Sequence, residues 1–116
     1  MKVLVCGGCR FKDKEALYRH LDALHAEVPL ALVMNGGARG ADYFASQWAR
    51  ERCIQLKVFR ADWKNHGDEA VMKLNHLMLE TGQPDLILAF PGGPVTEHMI
   101  TLAEAAGVKV VRTEAD

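Results

Sequence analysis

With 116 residues, 49% of them apolar and 25% charged, the chain has the size and composition of one globular domain with its own core, and it lacks the charge excess of a disordered segment. A formal net charge of −1 leaves no basic footprint for gripping a nucleic-acid backbone, so nucleic acid is not an expected partner. The apolar N-terminal run stops at Gly7-Gly8, too short for a signal peptide or a membrane span. The cysteines Cys6, Cys9 and Cys53 are odd in number, so a reduced, cytoplasmic protein is expected, without membrane contact.

Val3 to Cys6 reads as the first strand. A helix follows with Asp13 as N-cap and Leu17, Leu21 and Leu24 on one face, stopped by Pro29. Leu30 to Met34 is the second strand, and a helix after Gly40 carries Ala41, Phe44, Ala45, Trp48 and Ala49 at helical spacing. Leu56 to Phe59 is the third strand, followed by a helix capped by Asp68 and running to Gly82. Leu86 to Phe90 and Val108 to Val111 complete five strands, separated by a helix capped by Thr96 and closed by Gly107. Short, nearly continuous apolar strands alternating with helices predict an α/β fold. It is a Rossmann-like three-layer sandwich of about five parallel strands, buried on both faces beneath helices.

In such a sheet, ligands bind beyond the carboxyl ends of the strands, where helix N-termini offer free N–H groups. Three of the strand-to-helix loops are glycine-rich: Gly7-Gly8, the run from Gly36 and Gly37 through Arg39, Gly40 and Asp42, and Pro91-Gly92-Gly93 leading to Thr96. Glycine lets backbone amides approach a phosphate and accepts the positive φ of an amide nest. Each pair alone would also serve as an ordinary tight turn. Neither the dinucleotide fingerprint nor the P-loop pattern is present. Arg39 is a candidate phosphate clamp, and Asp42 either accepts from ribose hydroxyls or caps its helix.

After the third strand, Asp62 and Trp63 combine a hydrogen-bonding group with an aromatic face suited to a base, and His66 lies close by. The other histidines have no metal-ligand spacing and read as surface residues, so neither a metal ion nor a separate cofactor is called for.

At these loops the chain resembles the SLOG superfamily, specifically its small YspA/YpsA-like branch. The resemblance rests on Val5-Cys6-Gly7-Gly8, Gly36 to Asp42, Ala61-Asp62-Trp63 with His66-Gly67, Asn75 with Met78-Leu79, and Ala89 to Gly93. It implies a doubly wound sheet with a pocket for a nucleotide-derived small molecule; in the LOG phosphoribohydrolases of the group it implies cleavage of a nucleotide N-glycosidic bond. The chain departs from the branch at Cys9-Arg10, at Leu74 and at Val95. Two expected arginines are thereby missing from the phosphate clamp, and Arg10 is the nearest replacement. Glu97 stands one position early for the hydrolytic glutamate, a turn of about 100° around the helix.

The expected function is therefore a sensor or ligand-binding domain for a phosphate-bearing nucleotide derivative. The alternatives are a nucleotide N-glycosidase using Asp42, Asp62 or Glu97, a thiol redox protein using the Cys6–Cys9 pair, and an interaction module without a ligand. Apolar Tyr18 and Leu79, beyond the predicted core, would suit a homodimer.

Overall fold

The computed structural model describes residues 1–113. Five strands, β1 (Lys2–Cys6), β2 (Leu32–Asn35), β3 (Gln55–Val58), β4 (Leu86–Ala89) and β5 (Lys109–Arg112), form one parallel sheet in the order β3-β2-β1-β4-β5. The chain winds outward from β1 to β3, returns across the sheet, and winds outward again to β5. Because parallel crossovers are right-handed, the reversal sends the helices of the two halves to opposite faces.

The cores agree. On one face, α1 (Lys14–Glu27) and α2 (Ala41–Glu51) bury Leu17, Leu21, Ala45 and Trp48 against Val3, Val5, Val33 and Leu88. On the other, α4 (Ala70–Gly82) and α5 (Pro94–Ala105) bury Leu74, Met78, Met99 and Ile100 against Leu4, Met34 and Ile87. Each central strand therefore needs apolar side chains in both directions. The fold is Rossmann-like, three-layered and parallel. Trp48 is fully buried and its indole N–H donates to Asp22 Oδ1 at 2.9 Å, so the largest core side chain leaves no polar atom unpaired. Truncation to Ala would cost about 3–5 kcal/mol.

Three details differ from the sequence expectations. The edge strands β3 and β5 are half-exposed, with Gln55, Lys57, Lys109 and Arg112 facing solvent. Only one neighbour covers an edge strand, and its charges block pairing with another chain. The helix after β3 is not capped by Asp68. Asp62 caps a short turn, α3 (Trp63–His66), by accepting from Asn65 N at 3.2 Å; a 3₁₀ turn over Gly67–Glu69 follows, and α4 begins only at Ala70. Thr96 is not a cap either. Proline at the first helical position sets φ in advance, so α5 starts at Pro94 with Gly93 as N-cap, and Thr96 lies buried inside the first turn.

Candidate functional site

A cleft of about 390 Å³ opens where β1 to β3 end and α4 and α5 converge. Of the residues expected at a site, Gly7, Gly36, Gly37, Asp42, Trp63 and Thr96 line it. Gly8, Arg10, Pro91, Gly92 and Gly93 line a neighbouring shallow hollow, and Asp62 lines another, beside α4. Exposed Arg39 and half-buried Gly40 do not reach the cleft. Arg60 and Asn75, by contrast, do line it, and nothing in the sequence pattern singled out Arg60.

The loop after β2 is held shut by its own neighbours. Gly36 N and Ala38 N both donate to Asp42 Oδ2, at 3.1 and 3.2 Å, and Gly37 N donates to Asn35 Oδ1 at 2.8 Å. Asn35, wholly buried, is fixed in turn by a 2.9 Å bond from its Nδ2 to Ser46 Oγ. Three amides expected to face an anion are thus already paired, and Asp42 is not a plain helix cap, because its Oδ2 holds two of them. Burial pushes its carboxyl up to about 6 against the pull of the two N–H groups.

Gly8, Gly40 and Gly92 serve loop-to-loop contact. A Cβ on Gly8 would stand 3.1 Å from Gly92 Cα, and Gly8 N donates to Pro91 O at 2.9 Å, so the loops after β1 and β4 are tied backbone to backbone. Gly40, at φ +74°, brings its α-carbon against Gly8 O, where no side chain fits. The three loops form one packed unit whose glycines permit that packing.

Free donors remain at α5. Gly93 offers no side-chain cap, and the first intrahelical bond comes only from Glu97 N to Gly93 O at 3.1 Å, so the N–H groups of Val95 and Thr96 open the helix at the cleft wall. Asn75, buried on α4, pins this end by donating from Nδ2 to Val95 O at 3.0 Å, with His98 Nδ1 at 3.1 Å as its second partner. His98 is thus a bonded residue and not a plain surface histidine; its ring also meets that of His76 edge to face.

Across the cleft, Trp63 is 59% exposed, an apolar ring left uncovered at a cavity mouth. Asp62 accepts from both Asn65 N and Asn65 Nδ2, and those bonds hold its carboxyl below the usual range. Glu97 forms a bidentate pair with Arg112, the closer contact 2.8 Å, beside β5 and outside the cleft. Two of the three candidate hydrolytic carboxylates are therefore engaged away from the cleft.

Cys6 lies buried on the cleft floor. Burial, reinforced by Asp42 and Glu97, pushes its thiol up to about 12, which makes it a poor nucleophile, and Cys6 and Cys9 are both free thiols. Among the described residues, no group of three His, Cys, Asp or Glu side chains is placed to hold a metal, and no helix is long and apolar enough to cross a membrane.

Comparison with known proteins agrees with this architecture. The model of the YspA, cpYpsA-related SLOG family matches residues 1–66, the part that contributes β1 to β3 and the turn bearing Trp63. The chain is 36% identical over 118 residues to the Gene 61 protein of Mycobacterium phage D29, covering 95% of this chain and 94% of that protein. Phosphoribosylglycinamide formyltransferase from Bacillus halodurans aligns with a TM-score of 0.50 at 16% identity, over 97% of this chain and 55% of the enzyme. The chain spans about half the length of that enzyme, and the likeness is one of fold alone. Given a family match over more than half of its length and a relative sharing a third of its residues end to end, the chain belongs to the YspA, cpYpsA-related SLOG family.

Proposed function

We propose that the cleft binds a phosphate-bearing, nucleotide-derived small molecule and that the protein works as a cytoplasmic sensor or ligand-binding domain. The observation that carries this reading is a cleft of ligand size at the carboxyl ends of the strands with chemically distinct walls. The Val95 and Thr96 N–H groups and the positive end of α5 suit a phosphate, with open space beside Gly93, the residue that begins the helix. Asp42 suits sugar hydroxyls, and the bare face of Trp63 suits a base. Gly7, Gly8, Gly36, Gly37 and Gly40 act indirectly, by letting the loops pack into a rigid rim.

Engagement of Asp62 by Asn65 and of Glu97 by Arg112 favours binding without turnover. A second reading, an N-glycosidase, rests on Asp42, among the described residues the one carboxylate lining the cleft, whose raised pKa is typical of a catalytic acid. Calorimetric titration of 5′-mononucleotides into the wild type and Trp63→Ala separates these readings from an interaction module. Loss of a stacked base weakens binding by about 1–3 kcal/mol, roughly 5- to 160-fold. Binding unchanged by Trp63→Ala would remove the base site from the cleft, and release of free base would establish the hydrolase.

A further inference from the structure

Asn75, on α4, is only 4% exposed and lines the cleft. Its amide can face only one way. Nδ2 stands 3.0 Å from Val95 O, and a carbonyl oxygen only accepts, so the nitrogen and not Oδ1 must meet it. The second Nδ2 hydrogen goes to His98 Nδ1 at 3.1 Å, which makes that ring nitrogen the acceptor. Both amide donors are thereby spent on α5.

Oδ1 is what remains. Among the described residues no N–H or O–H donates to it, yet the atom is not sealed from solvent. Because the residue is otherwise buried and lines the cleft, Oδ1 opens into the cleft. A carbonyl oxygen at such depth is costly unless a water or a ligand donates to it. It accepts from N–H and O–H groups and repels the oxygens of a phosphate, so Asn75 calls for a different part of the ligand.

The neighbours of Asn75 indicate which part. Val71, Leu74 and Met78 share its face of α4 at helical spacing and line the same cleft, as does the exposed ring of Trp63. These apolar surfaces suit the flat faces of a base, and Oδ1 is a polar acceptor set into that wall. The sugar has an acceptor of its own: Gly36 N and Ala38 N both donate to Asp42 Oδ2, which leaves Asp42 Oδ1 without a donor among the described residues.

Resting on the nucleotide reading above, we infer that Asn75 Oδ1 accepts a hydrogen bond from the exocyclic amino group of the ligand's base. The ligand is then a nucleotide of adenine, guanine or cytosine. Asn75 is the residue that separates such bases from those without the amino group.

The test is calorimetric titration of matched pairs that differ only in the amino group: AMP against purine riboside 5′-monophosphate, GMP against IMP, and CMP against 2-pyrimidinone riboside 5′-monophosphate. Each is titrated into the wild type and Asn75→Ala, with the 2′-deoxy and 3′-deoxy forms of the tightest binder alongside. In the wild type, the amino-bearing member of at least one pair is expected to bind about tenfold or more tightly, because its analogue leaves Oδ1 unpaired in the complex. Asn75→Ala also releases Val95 O at the start of α5, which weakens both members of a pair alike, so the ratio within a pair reports the direct contact. That ratio is expected to fall to about one. Circular dichroism verifies that the variant is folded, and the wild-type pairs alone can overturn the proposal if it is not. Equal binding within every pair, or a preference that survives Asn75→Ala, overturns the role of Asn75 and leaves the nucleotide cleft standing. A preference for ribose over its deoxy forms that Asn75→Ala erases also overturns it, since the donor is then a sugar hydroxyl. Binding of no nucleotide overturns the nucleotide reading itself.

Discussion

Asp42 buries a carboxylate against two backbone N–H groups, and burial outweighs those bonds in setting its protonation. Its folded pKa, about 6, lies above the ordinary aspartate value of 3.8, so the folded state takes up the proton more readily than the unfolded chain. The resulting stability is fully present below the unfolded pKa and is lost as pH rises through 6, a loss of about 3 kcal/mol at most. Asn at this position keeps one oxygen for the Gly36 and Ala38 N–H groups and carries no charge. Urea unfolding of the wild type and Asp42→Asn from pH 4 to 7 is expected to show the wild type losing ground between pH 4 and 6 and holding a constant deficit above. A difference that is flat with pH would contradict the burial. Cysteine chemistry offers a second check at this scale. An alkylating reagent is expected to label exposed Cys9 and Cys53 in the native protein and to reach buried Cys6 only after denaturation, as counted by mass spectrometry.

The loops show what sequence can and cannot convey about elements. That the glycine runs after β1, β2 and β4 meet at one rim was legible, because strand-to-helix turns in a parallel sheet converge at one edge. The destination of their amides was not legible. Gly36, Gly37 and Ala38 donate to side chains supplied by Asn35 and Asp42, and nothing in a glycine pattern distinguishes an amide nest from one already filled. Asn35 was the available clue, a polar residue closing an apolar strand. Arg60 escaped notice for another reason: it belongs to no motif, and its place at the cleft follows from β3 lying next to β2. The start of the first helix was read correctly at Asp13, which accepts from Ala16 N at 3.0 Å, whereas the side-chain cap at Asp62 and the backbone-set start at Gly93-Pro94 were both missed. The packed loops predict that Gly40→Ala, forced into a positive φ against Gly8 O, destabilises by about 2 kcal/mol or more in denaturant titration.

At the scale of the whole molecule, the sheet order decides where the site lies. Winding outward from β1 in both directions leads the chain from the loops after β1 and β4, tied at Gly8 and Pro91, to helices on opposite faces, and the cleft forms beside that point with α4 as its wall. Alternation of short apolar strands with amphipathic helices made the α/β class readable. The strand order, and with it the exposure of β3 and β5, depends on pairings between distant segments, as when β1 meets β4 through Val3 and Leu86.

On the proposed function, the cleft takes a nucleotide without consuming it. The most direct test is the melting temperature of the protein across a panel of nucleotides and dinucleotides, with each mixture assayed for released base. Ligand at 100 times its dissociation constant adds about 2.7 kcal/mol, which for a chain of this size raises the melting point by several degrees. Such a rise is expected for at least one phosphate-bearing nucleotide, with no free base, and it is expected to vanish in Trp63→Ala. A panel that leaves the melting temperature unmoved, or a rise accompanied by liberated base, would contradict it.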